Sequence, residues 1–177
     1  MRRILAILVA ITAEASSTSL RATSAQQQCL EKIRQMEKEK GIEPGLLEAI
    51  AQIESKSCPY VVNACGRGYS FKSASEAARF VKEKQTQGYR NISVGAMQLH
   101  VPSHRRHFKS LEEMCEIEHN VAYGAKLFKR LKRQCGTNEG AVKLYHSPNS
   151  QANEIYKTRV FGAWAKIKLK RHIKSPT

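Results

Sequence analysis

Between Cys29 and the C-terminal tail the sequence is cut into short stretches of helical period, and this punctuation limits the fold more than any other feature. Leu30, Ile33 and Met36 form a stripe that Gly41 closes as a C′ residue. Pro44 suits the first turn of a second helix, which runs to about Ser55 with Leu46, Ile50 and Ile53 on one face. Ser73 with Glu76, and Ser110 with Glu113, are spaced as capping boxes that open two more helices. From Asn120 to Gln134, Val121, Ala125, Phe128 and Leu131 line one side while Lys126, Lys129, Arg130 and Arg133 take the other. Gly136 follows, Thr137 can cap a short helix, and a last helix begins after Ser150 with Tyr156, Val160, Ala163 and Ile167 on its face. Cys58 to Phe71, with its proline and glycines, reads as an irregular excursion, and strand signal is thin. A mainly α domain, a compact bundle of six or seven helices, is expected.

The first residues stand apart. Arg2 and Arg3 precede the apolar run Ile4 to Ala13, which is too short to span a bilayer, and small-residue sites follow. That order is that of a secretory signal peptide over residues 1–25, with an alternative cleavage point after Ala15. No later segment has the composition to cross a membrane, so a periplasmic protein with no stable membrane span is expected. Five cysteines suit an oxidising compartment, with room for up to two disulfides and one thiol left over; their spacings fit no zinc pattern, and no metal or other cofactor is expected. Lysine and arginine number 30 against 15 acidic residues, a net charge of +15, which favours an anionic polymer or surface as partner. All of the acidic residues are glutamate, so a Ser-His-Asp arrangement and an Asp-based metal loop are excluded.

Acid chemistry must therefore fall to a glutamate, and Glu54 is the one that its surroundings single out. It sits on the shoulder of the stripe, next to Ile53 and four residues after Ile50, where the helix is about to end before Pro59. Desolvation raises a carboxyl pKa, and the negative end of a helix pushes the same way. Both favour a protonated acid near neutral pH, as a general acid requires. A boundary glutamate whose carboxylate reaches water is the competing reading.

Four motifs in order decide between them. Glu54-Ser55, then Ser93-Val94-Gly95-Ala96-Met97-Gln98, then Asn120-Val121-Ala122-Tyr123-Gly124, then Leu144-Tyr145-His146 resemble the lytic transglycosylases of the goose-type-lysozyme-like superfamily. The segment from Asn63 to Gln98 is similar to a subgroup with Asn-x-x-Gly-x-Gly-Tyr-x-Phe and a Tyr-His-Ser third motif. Ser93 stands where that subgroup often has an acidic residue, and His100 where it usually has asparagine. The resemblance covers roughly Pro44 to Trp164 and implies a mainly α fold of the α+β lysozyme-like superfamily around a glycan-binding groove. The domain layout that follows is an N-terminal helix over 26–43, a catalytic domain over 44–168 and a loose basic tail over 169–177.

The resemblance implies cleavage of the β-1,4 bond between N-acetylmuramic acid and N-acetylglucosamine in peptidoglycan, with a 1,6-anhydro product. Glu54 is the expected catalytic residue; Ser55, Met97, Gln98, Tyr145 and Tyr156 are the expected substrate-binding residues. Tyr145 is expected to hydrogen-bond and orient Glu54, Gln98 to meet acetamido or hydroxyl groups, Ser55 to fix the glutamate or touch substrate, and Tyr156 to lie over the cleft. Met97 has groove and core readings of equal weight, and His146 is read as a wall residue. A Cys58–Cys65 disulfide would stiffen the groove wall, and other pairings stay open. The expected partner is the peptidoglycan glycan strand, met by a monomer, with local service to a secretion, conjugation or flagellar machine and no nucleic-acid role. A lysozyme that uses water, a non-catalytic wall-binding scaffold and a basic nucleic-acid binder are the competing classes.

Overall fold

The computed structural model describes residues 24–146 and 150–174. Most of the expected leader, 1–25, and Ser147 of the third motif lie outside them. The described residues form eight α-helices, one 3-10 turn and a four-stranded sheet. α1 covers residues 24–40. α2 (Leu46–Ser55) follows, then the strands β1 (Val61–Ala64) and β2 (Arg67–Ser70). α3 (Ala74–Thr86), β3 (Ile92–Val94) and β4 (Leu99–His100) lead into α4 (Val101–His104) and the 3-10 turn Arg105–His107. α5 (Leu111–Cys115), α6 (Ile117–Cys135), α7 (Asn138–His146) and α8 (Ser150–Lys174) complete the chain. A mainly α fold of the lysozyme-like kind is therefore what the chain adopts.

α2 is the element around which the rest is arranged. Leu46, Leu47, Ala49, Ile50 and Ala51 are fully buried on it. It packs on α8, α8 packs on α7, and α7 packs on α6. Its start carries no side-chain cap of its own, because the residue there is Gly45, in a left-handed conformation at φ 87°. Glu37 of α1 supplies the cap instead: its carboxylate accepts the N–H groups of Gly45 at 2.8 Å and Glu48 at 3.0 Å. A Cβ on Gly45 would lie 2.9 Å from Ile167 of α8, so this glycine is needed for packing as well as for its φ. Pro44 lies before the helix rather than in its first turn, and its carbonyl accepts the Trp164 indole N–H at 3.0 Å.

Both capping boxes form. Ser73 and Ser110 accept the N–H groups of Glu76 and Glu113 at 3.2 and 3.0 Å. The two carboxylates reach one residue further back, to the N–H groups of Lys72 and Lys109. Gly41 and Gly136 take the left-handed conformation expected of helix ends.

The Cys58–Phe71 excursion is in fact ordered as strand. β1 is central, paired antiparallel to β2 and β3, with β4 beyond, in the order β2-β1-β3-β4. Its strands are two to four residues long, too short for a period of two to be read. Val62 and Val94, opposite one another in the register, are fully buried. The C-terminal segment also departs from expectation: α8 continues through Lys174, so most of 169–177 is helix. Arg171 anchors it, with Nη2 at 2.5 Å from Glu48 and 3.4 Å from Glu37.

Candidate active site

α2 delivers Glu54 to its last turn, and the chain then leaves the helix through two left-handed residues, Lys56 and Ser57, at φ 56° and 59°. Neither is glycine, and such residues cost about 1–2 kcal/mol each. The turn is closed by N–H bonds from Lys56 to Gln52 O and from Ser57 to Ala51 O, which satisfy carbonyls of the last turns. Glu54 thus stays on the final turn without competing for those groups. Its side chain is 14% exposed.

Burial raises the Glu54 carboxyl to about 7, against two weaker effects that favour the carboxylate: the Tyr156 hydroxyl and the Arg159 charge. Tyr156 donates to Glu54 Oε1 at 2.6 Å, and it comes from α8, 102 residues further along the chain. The orienting tyrosine expected at position 145 is therefore Tyr156. Tyr145 donates to the Met97 carbonyl at 3.0 Å instead, although it lies near enough to Glu54 for that charge to help push its own pKa well up. The reason is topological: Tyr145 ends α7, whereas α8 packs directly on α2. His146 lies beside Glu54 and Tyr156. Its ring stacks on Tyr156 with centroids 4.4 Å apart and planes at 9°, and its Nδ1 is 4.0 Å from Glu54 Oε1. Desolvation and Arg159 lower its pKa, which favours the neutral imidazole beside Glu54.

Three expected substrate contacts turn out to hold the site together. The Ser55 hydroxyl lies 2.9 Å from Ala96 O and 3.2 Å from Ala51 O, so it ties α2 to the Gly-Ala-Met-Gln turn and has no proton left for a sugar. Met97 is completely buried and belongs to the core: a Cβ on Gly124 would sit 2.6 Å from its Cγ. Gln98, left-handed at φ 45°, donates its Nε2 to Gly95 O at 2.9 Å and Val61 O at 3.3 Å. Its side chain is half-buried, and it brings strand β1 to the turn.

The sequence assigns no role in the site to Asn120, which heads one of the four motifs, or to Arg159. Asn120, buried at the start of α6, accepts Met97 N–H at 2.9 Å and donates to Val94 O at 3.0 Å and Met114 O at 2.9 Å. A Cβ on Gly95 would come within 2.1 Å of it. The Gly95–Gln98 and Asn120–Gly124 motifs are therefore two halves of one joint, Gly95 making room for Asn120 and Gly124 for Met97. A polar residue directly before the apolar position Val121 was the available signal. Arg159 lies three residues past Tyr156, on the same side of a helix.

All five cysteines are free thiols. The loop after α2 is held by the β1–β2 ladder and by Asn63, which accepts Gly66 N–H at 2.9 Å, without a Cys58–Cys65 bond. Among the described residues no cluster is built to hold a metal. A groove of about 1270 Å³ lies behind the site, between α1, α2 and α8; Gln52, Ile53 and Arg159 line it, and Glu54 does not.

A sheltered glutamate that ends a core helix beside a small sheet defines the lysozyme-like class of glycan-cleaving folds. The transglycosylase SLT domain family matches residues 31–162, most of the chain, and the chain belongs to that family. Its substrate is accordingly peptidoglycan and its chemistry that of the lytic transglycosylases. Neither curated proteins nor solved structures give a match. No helix of the described residues is long and apolar enough to cross a membrane.

Proposed function

We propose that this protein cleaves the β-1,4 bond between N-acetylmuramic acid and N-acetylglucosamine with Glu54 as acid and then base, giving a 1,6-anhydro end. One observation carries the reading: a buried carboxyl raised to about 7 with the Tyr156 hydroxyl on Oε1, the groups that shift it among the described residues being Tyr156 and Arg159 rather than a carboxylate. A retaining or inverting hydrolase needs two carboxyl groups about 5–9.5 Å apart. An acceptor within the sugar needs only one.

Tyr156 occupies Oε1, which leaves Oε2 to carry the proton. That proton passes to the glycosidic oxygen as its bond to C1 breaks, leaving an oxocarbenium-like sugar and a carboxylate. Arg159 and the Tyr156 hydroxyl favour the carboxylate at that moment. The carboxylate then takes the proton of the muramic C6 hydroxyl, O6 bonds to C1, and Glu54 is again an acid. The internal hydroxyl replaces water because it is already held beside C1.

The leader over 1–25 supports export to the periplasm, and the Tyr145-His146-Ser147 motif supports a specialised role in opening the wall for a secretion, conjugation or flagellar machine. Mass analysis of wall digested by the mature protein tests the reaction. Products lighter by one water than hydrolysed ones, lost in Glu54→Gln, are expected. Hydrated products, or digestion that survives Glu54→Gln, overturn it.

A further inference from the structure

A second concentration of chemistry lines the wall that leads away from Gln98. β4 runs straight into α4 and the 3-10 turn, which brings His100, His104, Arg106 and His107 together within one short segment. His104 and His107 pack on Tyr123 of α6. His104 Nδ1 lies 3.1 Å from the Tyr123 hydroxyl, and the His107 ring stacks on Tyr123 with centroids 5.3 Å apart. Arg130 is seven residues further along α6, on the same face. Arg106 and Arg130 are both exposed, and Arg106 reaches only His107, at 3.4 Å.

Among the described residues no glutamate forms an ion pair with Arg106 or Arg130. Their charges are nonetheless close enough to act on His104, whose pKa burial and these neighbours, with His100 and His107, push down to about 4. Like charges crowded around an aromatic face without an internal counter-charge suit an external anion, and two guanidinium forks suit a planar carboxylate. The cluster neighbours the site: Gly124, next to Tyr123, lies against Met97, whose carbonyl accepts the Tyr145 hydroxyl, and Glu54 and Tyr123 both raise the Tyr145 pKa. The sugars nearest the scissile bond carry uncharged acetamido and hydroxyl groups. Carboxylates on a wall strand belong mainly to its peptide stems.

We propose that Arg106 and Arg130, with His104 and Tyr123 between them, bind a carboxylate of the peptide stem while the glycan lies along the groove to Glu54. This rests on the peptidoglycan reading and names the part of that polymer recognised away from the cut. The cluster then selects strands that still carry peptides.

The test is a binding measurement in the Glu54→Gln protein, so that turnover does not enter. Soluble glycan strands are compared with the same strands after amidase removal of their peptides, which leaves a lactyl carboxylate on each muramic acid. The expected result is about tenfold tighter binding of peptide-bearing strands, the worth of one charge-assisted contact. That preference falls towards one in Arg106→Gln/Arg130→Gln and is partly kept in the corresponding double lysine variant. A preference that survives in the glutamine variant, or equal binding of both strands by the parent, overturns the proposal; equal and tight binding assigns the anion to the glycan. Whether the Glu54-containing protein releases anhydro ends is read separately, so failure of the lytic reaction stays distinguishable from failure of stem recognition.

Discussion

At Glu54 burial and hydrogen bonding pull a single proton in opposite directions, and burial prevails. The activity should therefore fall as pH rises through about 7, because the acid form is lost there; the alkaline limb of kcat/KM against pH checks this. Stability carries the same sign. A carboxyl raised from 4.5 to about 7 contributes stability that is fully present below its unfolded pKa and is lost as pH rises through the folded one. Glu54→Gln removes that loss, so its melting temperature should match the parent at pH 4 and exceed it at pH 8, by an amount that corresponds to at most about 3 kcal/mol. Tyr156→Phe removes a bond that favours the carboxylate. Its alkaline limb should move to higher pH while kcat drops about 10- to 100-fold, since hydrogen bonds to charged groups are worth about 1.5–3 kcal/mol. The shoulder of an apolar stripe made Glu54 a candidate acid, and its sheltered position was legible there, but the ordered motifs were needed to favour it over a glutamate that reaches water. The identity of Glu54's partner was not legible: Tyr145 and Tyr156 both follow helical apolar spacing, and only the packing of α8 on α2 separates them.

The helices themselves were readable because their ends are chemical. Two serine–glutamate boxes and two left-handed glycines mark boundaries that the structure keeps. Where an end is completed by another element the sequence says nothing, as at α2, whose cap is borrowed from Glu37 of α1. Glu37→Ala should cost about 2 kcal/mol in urea unfolding, the value of a lost cap with its N–H groups left buried. The sheet escaped notice because its strands are two to four residues long, too short for the alternation of β1 and β3 to stand out in the sequence. Asn120→Ala strips partners from one N–H and two carbonyls. A loss of about 2–4 kcal/mol is expected, with faster amide exchange at Met97 as the local readout.

Over the whole molecule α8 does most to unite distant parts, reaching Glu54 at one end through Tyr156 and Glu37 with Glu48 at the other through Arg171. The basic composition of residues 169–177 suggests a solvated tail, because charge hides a helix whose apolar contacts are few; Leu169 and Ile173 remain exposed on it. Deleting 169–177 should lower stability by about 1–2 kcal/mol, a partly exposed ion pair with buried Glu37 left behind, and calorimetry in low and high salt separates the ionic share. The long reach of α8 also has a temporal meaning. An amino-terminal fragment that ends before residue 156 owns the glutamate but neither the phenol nor the guanidinium that temper it. The carboxyl thus meets the two groups that temper it only once α8 has been made and has docked on α2.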